Sequence, residues 1–230
     1  MLVLAIDTAT PRVAAAIGDD GRVKGEVNLA SRRRHAEQLA PAISYLCEQT
    51  QVRLAQLAAV AVGIGPGLFT GLRVGVTTAK VMAQALRIPV VAIPSLDLVA
   101  YPLRHAGRAI AVVLDARRHE VFSAQYVPVP GGVQRISEYT VGSVEELVAE
   151  LSADGREVLL AGDGVERYRD EFAALDRAVH AGPQWEAPSA TALIELATGR
   201  LEREEFTSPW EVSPLYLRES DAELAWAARR

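Results

Sequence analysis

The chain has 230 residues, half of them hydrophobic, and a formal net charge of −5. That acidic balance argues against strong, independent binding to a nucleic-acid backbone, while leaving room for an accessory place beside a basic partner. The lone Cys47 excludes an intrachain disulfide. With no basic n-region and no bilayer-length apolar run, the sequence predicts a cytoplasmic protein in a reducing compartment, away from membranes.

Residues 2–7, Leu-Val-Leu-Ala-Ile-Asp, read as an apolar strand ending in a carboxylate. Thr8, Thr10 and Pro11 make a turn, Val13–Ile17 a second strand, Asp19-Asp20-Gly21 another turn, and Arg22–Leu29 a third strand of alternating polarity. Asp7 at the end of the first strand suits the opening of an actin-like nucleotide-binding lobe. It equally suits a turn carboxylate bonded to nearby N–H groups. A helix is predicted over roughly His35–Gln49, with Leu39, Ile43 and Leu46 on one face and Pro41 either bending it or marking its first turn. Arg32-Arg33-Arg34 ahead of it reads as a solvated turn more readily than as a phosphate site.

Residues 57–64 form a short buried strand that runs into Gly63-Ile-Gly-Pro-Gly-Leu-Phe-Thr-Gly-Leu-Arg-Val-Gly75. Gly63, Gly65 and Gly67 around Pro66 make a turn, Thr70 is the expected N-cap, and Leu72, Val76, Ala79, Ala83 and Leu86 recur at helical spacing. A strand, a glycine turn and a helix N-terminus can cradle an anion. A tight connection that binds nothing explains the letters as well, and the Gly-Lys-Ser/Thr ending of a Walker loop is missing. Gly71, Gly75, Ala79 and Ala83 form a smooth stripe that lets another backbone approach, either the chain's own sheet or a second subunit. Pro89–Ile93 adds a strand, and Ser95 is placed to cap a helix through Val99. The order βββαβαβα completes a first lobe, assigned to residues 1–104.

The second lobe, residues 105–230, repeats the device: Ala109–Asp115 is an apolar strand ending in aspartate. Glu120–Val127 and Val133–Val141 follow as strands. Ser143 heads a helix with Glu145 and Glu146 in its first turn. Glu157–Ala161 enters the Gly162-Asp163-Gly164 turn, with a helix from about Val165, and residues 189–199 form another helix capped by Ser189. Ser208–Arg218 reads as an extended tail pinned by Trp210, Val212, Leu215, Tyr216 and Leu217, and Asp221–Arg230 as a short frayed helix. The recurrence of βββαβα predicts an α/β, actin-like duplicated fold of two lobes, each a mixed sheet flanked by helices.

The four histidines, His35, His105, His119 and His180, match no metal-ligand spacing, and no nucleophile elbow is present. Asp7, Asp115 and Asp163 are the right kind of residue to hold magnesium jointly. In Asp115-Ala-Arg-Arg-His-Glu-Val121, Arg117 and Arg118 offer bidentate contacts to phosphate or carboxylate, with Glu120 orienting one of them. An ordinary surface hairpin explains the same residues.

Taken together, Leu4-Ala-Ile-Asp-Thr8, His35-Ala-Glu-Gln-Leu-Ala-Pro41, Gly65-Pro-Gly-Leu-Phe-Thr-Gly-Leu-Arg-Val-Gly75, the Asp115–Val121 segment and Ser213-Pro-Leu-Tyr-Leu-Arg218 resemble the bacterial TsaB (YeaZ) family, in the family's order along nearly the whole chain. Leu68 stands where the family more often has Ser. The resemblance implies an accessory subunit that pairs with a TsaD-like catalytic protein and, through the complex, a TsaE-like ATPase. The complex adds threonylcarbamoyl to adenosine 37 of tRNAs reading codons that begin with A. TsaD-like proteins carry an Asn-His-x-x-x-His metal motif where this chain reads Ile93-Pro-Ser-Leu-Asp-Leu-Val-Ala100, so a scaffolding and activating role is implied, with tRNA met only within the complex and no required cofactor. A partner or homodimer interface is expected at Leu39, Ile43, Leu46, Gly71, Leu72, Gly75, Val76, Ala79 and Ala83. Residual contacts to ATP or ADP with magnesium are expected at Asp7, Thr8, Gly65, Gly67, Thr70, Asp115, Arg118 and Asp163. Two other functions stay open beside this one: an actin-like ATPase or small-molecule kinase and, with less in its favour, a peptidase.

Overall fold

The structure, a computed structural model, describes residues 1–31 and 34–218. The arginine turn at Arg32 and Arg33 and the helix expected over Asp221–Arg230 lie outside the described residues. The first sheet is built from β1 (Leu2–Asp7), β2 (Arg12–Asp19), β3 (Arg22–Ala30), β4 (Ala59–Gly63) and β5 (Val90–Ile93), with helices α1 (His35–Thr50), α2 (Phe69–Leu86) and α3 (Ser95–Ala100) between or after them. The second is built from β6 (Ala109–Arg117), β7 (Glu120–Val129), β8 (Gly132–Arg135), β9 (Thr140–Ser143), β10 (Val158–Ala161) and β11 (Ala178–His180). Its helices are α4 (Val144–Asp154), α5 (Asp163–Arg167) and α6 (Arg169–Phe172), and α7 (Ala190–Glu202) follows.

The strand orders are β3-β2-β1-β4-β5 and β11-β10-β6-β7-β8, with β9 also on β7. Read from the antiparallel edge, the two orders correspond strand for strand. β1 runs antiparallel to β2 and parallel to β4, as β6 does to β7 and β10. The duplicated actin-like fold is therefore present as topology.

Alternation along the central strands decides which helices cover which face. Leu4, Ile6, Val60 and Val62 point into one core with Leu39, Ile43, Leu46, Val76, Ala79 and Ala83 from α1 and α2. Their neighbours Ala5, Ala14, Ala16, Ala59 and Ala61 face the other way, and their small side chains let α7 settle close through Leu193, Ile194 and Ala197. Helix α7, last in sequence among the helices, thus covers the first sheet. In exchange α3 sends Leu96, Val99 and Ala100 into the second lobe's core against Ile110, Val112 and Leu114. Asp97 of α3 anchors this exchange: its Oδ1 accepts hydrogen bonds from the hydroxyls of Tyr126 and Tyr139, each at 2.8 Å.

Several elements depart from expectation. The strand expected over residues 133–141 is two strands, both paired with β7. Between them the ladder is bridged by the Ser137 hydroxyl, which accepts the Gln125 N–H at 2.9 Å. The parallel edge strand β11 was not anticipated; at three residues it is too short to show a period. Pro41 falls in the second turn of α1 and the helix continues through it. The tail pairs Thr207 with Val90 and buries Val212, but Trp210 is 70% exposed and pins nothing. No helix among the described residues is long and apolar enough to cross a membrane.

Candidate functional site

The glycine turn after β4 lies on the turn between β1 and β2. Gly65 has φ +96° and Gly67 is so close that a Cβ there would meet the Ala9 carbonyl at 2.3 Å. The Leu68 N–H donates to that carbonyl at 2.7 Å, and the Thr8 hydroxyl donates to the Gly71 carbonyl at 2.7 Å. Asp7 is 2% exposed; its Oδ1 accepts the Ala9 N–H at 2.9 Å and its Oδ2 the Ser95 hydroxyl at 2.7 Å. Ser95 Oγ in turn accepts the Gly65 N–H at 3.1 Å. The structure therefore brings Asp7, Thr8, Gly65 and Gly67 together, as expected, but the Asp7 carboxylate, the Thr8 hydroxyl and the Gly65 N–H are engaged by neighbouring groups of the chain. Burial pushes the Asp7 carboxyl up to about 6, although both hydrogen bonds oppose the shift.

Two expected caps are corrected here. Helix α2 starts at Phe69 with Leu68 as N-cap and no side-chain cap, which leaves Thr70 exposed in the first turn. The N-cap of α3 is Pro94; Ser95 turns its hydroxyl inward because a buried carboxylate accepts it.

The corresponding turn of the second lobe packs its glycine as tightly, a Cβ at Gly162 standing 2.0 Å from the Val113 carbonyl, but leaves its carboxylates partly exposed. Asp163 Oδ1 accepts the Asp115 N–H at 2.9 Å, while Asp115 Oδ1 accepts the Arg117 N–H at 2.8 Å and the Tyr168 hydroxyl at 3.0 Å. Arg167 Nε lies 3.3 Å from the other Asp115 oxygen. Burial, helped by the Asp115 charge, pushes Asp163 up to about 7. Arg117, Arg118 and His119 all carry positive φ, at 65°, 54° and 63°, in the hairpin between β6 and β7. Glu120 pairs with Arg218 of the tail. Asp7 does not join Asp115 and Asp163: among the described residues no group of three or more His, Cys, Asp or Glu side chains is placed to hold a metal ion. Asp115 and Asp163 meet at one turn, and Asp7 is held at the other by Ala9 and Ser95.

Between the lobes lies a cavity of about 450 Å³, walled by Phe69, Thr70, Arg117, Phe122, Tyr216 and Arg218 among others. The Phe69 and Tyr216 rings stand 5.0 Å apart, and Arg73 lies over Phe69 while donating from Nε to the Tyr216 hydroxyl at 3.1 Å. Leu215 N–H donates to the Ile64 carbonyl at 2.7 Å, so the tail motif forms one wall of this cavity.

The expected interface residues require the largest correction. Gly71, Leu72, Gly75, Val76, Ala79 and Ala83 are all buried within the chain, and so are Leu39, Ile43 and Leu46. A Cβ at Gly71 would stand 2.1 Å from the Thr8 carbonyl, and one at Gly75 2.3 Å from the Thr8 hydroxyl. The small-residue stripe serves close approach to the chain's own first sheet, the other occupant that its letters allowed. Turned outward instead are Ala40, Ser44 and Tyr45 of α1 and Thr77, Val81 and Ala85 of α2, with Tyr45 and Val81 exposed at 55% and 59%. The sequence signal for this face is the apolar residues on α2 beyond the buried stripe, Val81 and Ala85, while Val74 packs partly against the first core.

Residues 24–226 match the family model described as TsaD: tRNA N6-adenosine threonylcarbamoyltransferase. The chain is 36% identical to uncharacterised proteins of Mycobacterium tuberculosis and Mycobacterium leprae, spanning 93% of the former's length and 56% of the latter's. It is 31% identical to the tRNA threonylcarbamoyladenosine biosynthesis protein TsaB of Bacillus subtilis, over 71% of this chain and 68% of that one. The crystal structure described as YeaZ from Pseudomonas aeruginosa superposes with a TM-score of 0.79 at 27% identity, covering 94% of this chain and 99% of that one. On these likenesses, the chain belongs to the TsaB (YeaZ) family.

Proposed function

We propose that this protein is a non-catalytic scaffold and activator in tRNA threonylcarbamoyladenosine synthesis, binding a TsaD-like catalytic subunit and reaching a TsaE-like ATPase through that complex. In this reading it works in the cytoplasm and supplies no bond-making step, and tRNA is met only within the assembly. Its two lobes correspond to residues 1–104 and 105–230, with α3 and α7 exchanged between their sheets. The observation that supports the partner role most directly is the largely uncharged outer face of α1 and α2. An exposed apolar surface on an otherwise acidic, polar molecule marks a place for another protein. The same face serves a homodimer when the partner is absent.

The experiment is co-expression with the organism's TsaD-like protein and mass measurement of the complex, using Val81→Arg against wild type. Val81→Arg should stay folded and lose binding, because a central, desolvated cation on an apolar interface costs several kcal/mol. Ala79→Arg, two residues away but buried, should lose the fold itself. Wild-type affinity in Val81→Arg would remove this face from the interface.

A further inference from the structure

A second cavity, of about 370 Å³, opens where α7 and α3 meet the hairpin of β7 and β8. Three arginines from two elements line it: Arg200 and Arg203 at the end of α7, and Arg135 on β8. Arg200 and Arg203 are three residues apart, and that spacing sets them on one side of the helix end. Gly131, Gly132 and Gly199 keep side chains out of the approach. Each guanidinium has five N–H donors, of which internal partners take one at Arg200 and part of the set at Arg203 and Arg135. Arg200 gives Nη1 to the Ala92 carbonyl at 2.9 Å. Arg203 holds Glu205 through Nε and Nη2, at 2.8 and 3.1 Å, and Arg135 lies over the Tyr139 ring at 4.1 Å while its Nη1 reaches the Ser137 carbonyl and Glu138. Glu138 and Glu205 are exposed, at 89% and 53%, so water and salt weaken both pairs. Two carboxylates share the walls and are already engaged. Asp97 takes two tyrosine hydroxyls on Oδ1, and Glu195 pairs with Arg104 at 3.3 Å.

We propose that this cavity binds a small phosphate-bearing anion, held by Arg135, Arg200 and Arg203. Arginine's planar fork matches phosphate oxygens two at a time, which a lysine ammonium cannot do. The volume fits a small metabolite. Arg135 belongs to the second sheet, whereas Arg200 and Arg203 end the helix that covers the first, so the bound anion ties the lobes together. The site is remote in sequence from the outer face of α1 and α2, and it stands or falls independently of the partner role.

Inorganic pyrophosphate is the probe, added to the full chain in calorimetric titration and thermal melts, with sodium chloride at matched ionic strength as control. Pyrophosphate should raise Tm beyond the chloride control. In Arg200→Gln/Arg203→Gln the affinity should fall by about tenfold or more, each lost charge-assisted pair being a strong one. Arg22→Gln, on the exposed edge strand β3, should bind as wild type. If the double variant does not fold, Arg135→Gln carries the same expectation. No shift beyond chloride overturns the proposal, as does undiminished affinity in the folded variants. Displacement of pyrophosphate by a lower concentration of single-stranded oligonucleotide would assign the cavity to a polymer backbone and overturn it too.

Discussion

The first strand of the first sheet ends on Asp7, and its counterpart in the second sheet carries Asp115 at the matching end, yet the next crossover treats the two carboxylates differently. Behind β1, the crossover through α2 and β5 delivers Ser95 onto Asp7, and the glycine turn closes over both. Behind β6, α5 and α6 deliver Asp163, Tyr168 and Arg167, which leave Asp115 partly open. One turn has become a structural clamp, while its duplicate keeps charged side chains at the interlobe seam. A strand-end aspartate therefore carries no function by position alone; what the following crossover brings against it decides.

The largest expected effect breaks the clamp. Gly71→Ala should destabilise the protein by roughly 3 kcal/mol or more, because its Cβ meets backbone that cannot move aside. The gain in helix propensity, about 1 kcal/mol, is too small to compensate. In the second lobe a Cβ at Gly164 would meet Val113 Cγ1 at 2.9 Å and backbone only at 3.1 and 3.2 Å, against 2.1 Å at Gly71, so the cost of Gly164→Ala should be smaller. Urea denaturation of the two variants compares the turns directly; equal costs would refute the contrast.

The next effect is pH-dependent. Asp7 holds its proton up to about pH 6 in the folded protein, against an ordinary value of 3.8. The native state then binds more protons than the unfolded state across that window. The stability from this site is fully present below the unfolded value and is lost as pH rises through about 6, roughly 3 kcal/mol in all. Asp7→Asn should flatten that part of the stability–pH curve, measured as the difference from wild type, and an unchanged slope would show that Asp7 does not titrate as described. The smallest effect sharpens the other half. Since the Asp115 charge helps hold Asp163 up, Asp115→Asn should lower the Asp163 pKa in a carboxyl NMR titration, and a rise would contradict the arrangement.

Much of the fold could be read from alternation and punctuation. Asp7 at the end of β1, the Asp19-Asp20-Gly21 turn and the Ser143 and Ser189 caps all predicted real boundaries, whereas β6 runs two residues past Asp115 to Arg117. The misreadings share a cause: local letters were asked questions that distant residues answer. Thr70 and Ser95 are good capping residues, but Leu68 has the boundary geometry of α2 and Asp7 captures the Ser95 hydroxyl. Gly71, Gly75, Ala79 and Ala83 announce close approach without saying to what, and a sheet needs it as much as a partner helix does. The hollow at Arg135, Arg200 and Arg203 joins positions more than 60 residues apart in sequence, which no local spacing reveals.

The placement of α7 has a consequence for how the chain is made. The alanine-rich face of the first sheet, with Ala5, Ala14, Ala16, Ala59 and Ala61, leaves the ribosome early, but the helix that covers it is complete only at Glu202. Domains synthesised first usually fold first. Here the earliest sheet stays half-clothed through most of translation, waiting for a cover that lies on the far side of the second sheet in sequence. A fragment of residues 1–104 should accordingly be cut readily by protease under conditions where the full chain resists, and nascent chains shorter than about 200 residues are the natural clients of a chaperone.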